Sequence, residues 1–236
     1  MILIAAYFEE REEYKDLKKI FTGSARKYMP DADIRIISGD KINRENYDHH
    51  QDTFIGFKMA AEYALMLNKP CAVCDIDLMF RRSIADIWEQ KFDIAVTIRN
   101  HLARFNTGLW FYRPTDASKF FVKHWLELTE QFSKDMEGIK PGLDKYSGLD
   151  QYALACVLKK DRFVNVIELQ CQEWNAEQTY WAIIDENTRV IHIKSQLRNE
   201  LFERDQRTKY DGNISNKLKV IPECVELAKE ARRYLC

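Results

Sequence analysis

Charge of one sign is what this chain lacks most plainly: 36 basic side chains stand against 37 acidic ones, a formal net charge of −1 at pH 7. Without a global positive field, binding to nucleic acid or to an anionic membrane is not expected. Long apolar runs are missing too. A spanning helix needs about 20 apolar residues, and none is present, so no membrane-spanning segment is expected. Met1 to Tyr7 is apolar for a few residues and then turns acidic at Glu9 and Glu10. A secretory signal places basic residues ahead of a longer apolar run, so the expectation is a cytoplasmic protein. Of six cysteines only Cys71 and Cys74 form a C-x-x-C, and no second pair completes a zinc site. Both lie in a short apolar run, where a thiol behaves as a small hydrophobe. Glycine is scarce, with eight residues in all and none between Ala5 and Arg11. That excludes a glycine-rich phosphate loop after the first predicted strand.

What is present is ordinary globular material, 46% apolar and 31% charged. The pattern predicts strands over Ile2–Tyr7, Ile34–Ile37, Cys71–Cys74, Phe92–Ile98, Gly108–Tyr112, Phe163–Leu169 and Val190–Ile193. Helices are predicted over Glu12–Tyr28, Phe54–Leu67, Asp116–Phe132 and Leu149–Leu158, with a short one capped by Ser83. The polar, glycine-bearing stretch Glu137–Tyr146 reads as a loop of the kind that covers a site. Alternation of strand and helix predicts a single α/β domain, a mostly parallel sheet with helices on both faces. The catalytic domain is expected to span 1–198. The polar segment 199–236, ending in a helix from Pro222, is expected to pack on it. Ligands of such sheets sit at the carboxyl ends of strands.

Asp75-Ile76-Asp77 follows a buried strand directly. Residues two apart in extended chain point the same way, so both carboxylates can face one pocket. Held close, they repel unless a cation sits between them, and such oxygen ligands suit Mn²⁺ or Mg²⁺. Aspartates at strand ends are also often plain caps. Phe105-Asn106-Thr107-Gly108 lies just ahead of an apolar strand and reads either as a close approach to a ligand or as a turn. Asp150-Gln151 opens a helix, where an acid is favoured by the dipole alone. His192, near the end of the last strand, is either a ligand or a structural histidine.

In this order the segments resemble the retaining glycosyltransferases of GT-A fold, the group of glycogenin and the bacterial lipopolysaccharide galactosyltransferases. The match runs from the first strand to about Arg198. It comprises the D-x-D at Asp75 and Asp77, F-N-x-G at Phe105–Gly108, D-Q at Asp150 and Gln151, W-N at Trp174 and Asn175, and His192. The resemblance implies a Rossmann-like GT-A fold and a metal, Mn²⁺ or Mg²⁺, on Asp75, Asp77 and His192. It implies a nucleotide-diphosphate-sugar donor, by default a UDP-hexose, and a glycan, lipid or protein acceptor. Asp150 and Gln151 would be catalytic, with Gln151 beside the anomeric carbon. Asp150 and Asn106 would hold sugar hydroxyls, with Gly108 beside them. Lys58 would reach the donor, and Tyr7 would stack on the base. Lys58 reads equally as a solvated helix lysine. Where the family has glycine and lysine, three and six residues past the histidine, this chain has Ser195 and Arg198; Arg198 would grip the diphosphate. The family's aspartate and asparagine after the first strand are replaced by Phe8 and Glu9. Trp174, Tyr180 and Trp181 read as a sugar platform or as core.

Two other readings share part of the pattern. A haloacid-dehalogenase-like phosphohydrolase would use Asp75 as nucleophile and Asp77 as general acid, but it needs a later acidic pair. A non-catalytic relative would bind nucleotide-sugar and metal without transfer.

Overall fold

The run Ile2–Phe8 forms the strand β1, with Leu3, Ile4 and Ala5 wholly buried. It is apolar without alternation because it is flanked by strands on both edges and covered on both faces. The structure, a computed structural model, describes residues 1–8, 12–39, 49–101, 103–146, 148–203 and 222–235, and among these the side chains of 7, 8, 12 and 49–53 are left aside.

After β1 come α1 (Glu12–Tyr28), β2 (Asp33–Gly39), α2 (His49–Leu67), β3 (Cys71–Asp75) and β4 (Leu78–Phe80). A 3₁₀ turn at Ala85–Glu89 leads to β5 (Ile94–Ile98) and β6 (Phe105–Tyr112). Then follow α3 (Asp116–Lys134), α4 (Lys140–Tyr146), α5 (Leu149–Lys160), β7 (Val166–Gln170), α6 (Cys171–Trp174), β8 (Val190–His192), α7 (Ser195–Leu201) and α8 (Pro222–Arg232). The main sheet has the order β2-β1-β3-β6-β5-β7, and β4 pairs with β8 in a second, two-stranded sheet. β1 is parallel to β2 and β3, β5 is parallel to β7, and β6 alone runs antiparallel to its neighbours β3 and β5. The sheet is therefore mostly parallel, as predicted.

Alternation along the strands splits the core. Ile4, Val73, Val96 and Trp110 pack towards α2, α3 and α5 with Phe121, Trp125 and Leu154. Leu3, Ala5, Ala72, Ala95 and Phe111 face the other side, with Phe21 and Ala25 of α1 and Leu78 and Phe80 of β4. α1 presents Leu17, Ile20, Phe21 and Ala25, all fully buried, at helical spacing. Cys224, Leu227, Ala228 and Ala231 of α8 share a cluster with Leu17, Ile20, Trp181 and Leu197. α2 ends where Asn68 takes a left-handed backbone, φ 50°, a conformation asparagine tolerates. Among the described residues no helix is long and apolar enough to cross a membrane.

Four predicted elements differ. The strand predicted over Phe163–Leu169 is Val166–Gln170, and the short helix predicted to be capped by Ser83 is the 3₁₀ turn Ala85–Glu89, whose N-cap is Ile84. Phe105–Gly108 does not precede its strand but begins it: Phe105 pairs with Ile98 and Asn106 with Thr97, across a register shift after Val96. The polar residues there hid the strand's start, because their side chains bond Glu177 and Asp150 at the carboxyl ends of β3 and β5 instead of packing in the core. Within the predicted loop, residues 140–146 form α4, with Gly142, Leu143 and Tyr146 buried. Pro141 lies in its first turn, where a missing N–H is tolerated, and a β-carbon on Gly142 would lie 2.2 Å from the Tyr152 ring.

Candidate metal and donor site

Because β6 is reversed, its beginning meets the carboxyl ends of β3 and β5. Asp75 is the last residue of β3 and is half exposed. A turn at Ile76 and Asp77 then leads into β4, with Ile76 buried as its anchor. The turn, rather than extended-chain alternation, brings the two carboxylates together. Across the small sheet Leu78 pairs with His192, and Ile193 N–H donates to the Asp77 carbonyl at 2.8 Å.

His192 is fully buried, its Nε2 lying 3.0 Å from Asp77 Oδ1 and 3.4 Å from Asp75 Oδ2. The three ligand atoms lie within 4.8 Å of one another. Among the described residues neither Asp77 Oδ1 nor His192 Nε2 has a hydrogen-bond partner. The other side of the ring explains why. His192 Nδ1 is 2.9 Å from Asn175 Oδ1, and Asn175 Nδ2 donates to Thr97 Oγ1 at 3.1 Å. The Thr97 hydroxyl itself donates to the carbonyls of Asn106 and Leu109, so it accepts from Asn175 and fixes that amide. Asn175 Oδ1 then requires Nδ1–H on the neutral ring and leaves the Nε2 lone pair facing the carboxylates. Buried acceptors turned towards one another are unfavourable unless a proton or cation lies among them. The donor set of two carboxylates and one imidazole fits a divalent ion such as Mn²⁺.

Gly108 makes this approach possible. A β-carbon there would lie 2.4 Å from His192 Cε1 and 2.9 Å from Asp75 Oδ2. Arg198, on α7, donates to Asp77 Oδ2 through Nη2 and to the Ile193 carbonyl at 3.3 Å. Burial pushes the Asp77 carboxyl up, but His192 when protonated, and Arg198, together hold it well below the usual carboxylate range. Ser195, at the family's glycine position, has φ 44°, a left-handed backbone that glycine would adopt without strain.

Asp150 and Gln151 open α5 and are buried. Thr107 of β6 donates its hydroxyl to Asp150 Oδ2, and Trp125 Nε1 donates to the Asp150 carbonyl at 2.8 Å. Burial raises the Asp150 carboxyl, opposed by the Thr107 contact and reinforced by the charge of Asp75. Gln151 Oε1 accepts from Arg99 Nη1 at 2.8 Å. Arg99, buried just past β5, grips both oxygens of Glu177. Glu177 Oε2 also accepts from Asn106 Nδ2 at 3.3 Å, and Asn106 Oδ1 accepts from Gly108 N at 3.0 Å. Asn106 thus has both ends of its amide engaged within the protein.

The structure brings together Asp75, Asp77, Asn106, Gly108, Asp150, Gln151, His192 and Arg198. Lys58 is not among them: its ammonium lies 3.7 Å from Glu62 and 3.9 Å from Glu130, in a groove between α2 and α3 that none of these residues lines. Tyr7 pairs with Ser38 near the end of β1, and its side chain, like Glu9, lies outside the described residues. Trp174, Tyr180 and Trp181 are core residues, not a sugar platform: Trp174 packs against Phe111 and under Arg189, and Trp181 is fully buried. Cys71 and Cys74 are free and buried, and burial pushes both thiols up, Cys71 to about 12, as for thiols packed as small hydrophobes. Thr97, Arg99, Thr107 and Glu177 were not found by sequence reasoning. Arg99 follows a buried strand directly, a position where ligands gather; Glu177 carries no such signal.

The family model of nucleotide-diphospho-sugar transferases matches residues 59–196, more than half of the chain. The chain belongs to that family, and the family's chemistry is glycosyl transfer. The haloacid-dehalogenase alternative lapses with it, the third group of the acidic cluster being a histidine. No curated protein sequence matches the chain. Among solved structures it resembles the galactosyltransferase LgtC, in complex with donor and acceptor sugar analogues, at TM-score 0.56 and 14% identity, covering 98% of this chain and 96% of that one. A glycosyltransferase that glycosylates the major capsid of PBCV-1 gives 0.57 and 11%, over 82% and 93%. GlyE of Streptococcus pneumoniae gives 0.58 and 13%, over 98% of this chain and 59% of that one. At these identities the likeness is one of fold.

Proposed function

We propose that this transferase moves a hexose from a nucleoside-diphosphate donor, by preference a UDP-hexose, to an acceptor hydroxyl on a glycan, lipid or protein, with a divalent cation on Asp75, Asp77 and His192 and with retention at the anomeric carbon. The observation that carries the reading is the pair of buried atoms without a hydrogen-bond partner among the described residues, Asp77 Oδ1 and His192 Nε2, facing each other beside Asp75. A bound Mn²⁺ or Mg²⁺ would neutralise charge on the departing diphosphate. The other contributions come from the chain. Asn175 holds His192 in the ligating tautomer. Arg198 offers a guanidinium beside the cluster for phosphate oxygens, since only part of it is used by Asp77 and Ile193. Asp150, held by Thr107, and Gln151, held by Arg99, stand ready for sugar hydroxyls. Tyr7 at the end of β1 is proposed to meet the base. Retention rests on the resemblance to the LgtC-like group. The decisive measurement is calorimetry of UDP, UDP-glucose and UDP-galactose with Mn²⁺ and with EDTA. Metal is expected to tighten binding at least tenfold; equal affinity in both buffers overturns the metal reading.

A further inference from the structure

We propose that Arg99, paired with Glu177, is a positioning residue that turns the amide of Gln151 so that its NH₂ group, not its oxygen, meets the donor sugar. The inference rests on the reading above that Gln151 lines the sugar site.

The chemistry of the partner decides the amide's orientation. A guanidinium has five N–H donors and no acceptor, so the group 2.8 Å from Arg99 Nη1 is the oxygen of Gln151. Arg99 cannot turn away, because Nε and Nη2 are held by the two oxygens of Glu177, and the two hydrogens of Nη1 are shared among the Gln151 oxygen and the carbonyls of Phe105 and Ala103, the last at 2.8 Å. Burial raises the Glu177 carboxyl, yet its contact with Arg99 holds it below the ordinary range, so the pair stays charged. Gln151 Nε2 is left with no partner among the described residues. It lies close against Gly148, which has no side chain to cover it: a β-carbon there would lie 2.9 Å from it and 3.0 Å from Asp150 Oδ1. A donor and an acceptor are thus presented side by side, a match for a hydroxyl group, which accepts and donates at once. Gln151 in this orientation binds the sugar and does not attack it, since the amide nitrogen's electron pair is delocalised.

The test is a double-mutant cycle on the full chain, read by calorimetry with Mn²⁺ and with UDP, UDP-glucose and UDP-galactose as probes. Arg99→Met and Gln151→Met are each expected to leave UDP affinity within twofold of wild type. Each should weaken the preferred UDP-hexose about tenfold, the effect of one good hydrogen bond. The double variant should lose no more than Gln151→Met alone, because Arg99 acts through Gln151. Additive losses, or unchanged UDP-hexose binding in Arg99→Met, would overturn the proposal. If Arg99→Met does not fold, wild type supplies the answer. The side-chain amide resonance of Gln151, assigned by its absence in Gln151→Met, should shift when UDP is replaced by UDP-hexose, and a resonance blind to the sugar overturns the proposal. Wild type that binds none of the nucleotides overturns the donor reading itself and this inference with it. Nucleotide binding with an additive cycle overturns this inference alone.

Discussion

Ser195→Gly should make the protein more stable, although it deletes a side chain. Ser195 has φ 44° and is exposed, and its hydroxyl makes no hydrogen bond among the described residues. An L-residue in the left-handed region is strained by about 1–2 kcal/mol, through the approach of its β-carbon to the following carbonyl. Glycine removes that strain but adds about 0.4–1 kcal/mol of backbone freedom to the unfolded chain. The expected net gain is roughly 0.5–1 kcal/mol, which raises Tm by about 1–4 °C in a chain of this length. Ser195→Ala is the control, since it removes the hydroxyl and keeps the β-carbon, so it should gain nothing. Thermal unfolding with a urea titration at constant m-value reads the difference. A Ser195→Gly variant no more stable than Ser195→Ala would refute the reasoning.

Gly108→Ala places a β-carbon 2.4 Å from His192 Cε1. It should destabilise the fold by about 1–3 kcal/mol and abolish the Mn²⁺ dependence of UDP binding, measured by calorimetry in the folded fraction. Asn175→Ala frees the His192 tautomer and should weaken Mn²⁺ binding about ten- to a hundredfold, with circular dichroism unchanged; unaltered affinity would rule out the relay through Thr97. The Asp150 carboxyl is raised by burial, so the native state binds its proton more tightly than the unfolded chain does. Its contribution to stability is therefore present at low pH and lost as pH rises from about 4 upwards. Asp150→Asn should flatten the profile of Tm between about pH 4 and 7 and raise Tm at neutral pH, while weakening UDP-hexose binding.

The sequence was most legible where burial on both sides makes strands uniformly apolar: β1, β3 and β5 were each read within two residues. It was least legible at the active edge. There Phe105-Asn106-Thr107-Gly108 belongs to β6, but its polar side chains bond Glu177, Asp150 and the Gly108 backbone, so no apolar pattern marks the start. The reversal of β6 was equally hidden, since an antiparallel strand enclosed on both faces has the same composition as a parallel one. The motif Asp75, Asp77 and His192 was found as a set, yet through a wrong local picture: a turn at Ile76, not strand alternation, aims the second carboxylate. Lys58 shows the converse, for helical position placed it near the site while Glu62 and Glu130 draw its ammonium elsewhere. Arg99 and Glu177 escaped because their pairing spans 78 residues, and neither residue has meaning without the other.

The reversed strand also has a consequence for the order in which the site can assemble. β5 and β6 form a hairpin, so Thr97 and Asn106 meet across a separation of only nine residues. Contacts of such short range close early and at small entropic cost, and with them come Arg99, Thr107 and Gly108. The counterpart contact, Arg198 on Asp77, spans 121 residues and waits for the last sheet to dock. One half of the binding cleft is therefore a fast local unit and the other a late arrival. A chain released before β8 is made carries that hairpin complete but lacks His192, the third member of the cluster with Asp75 and Asp77.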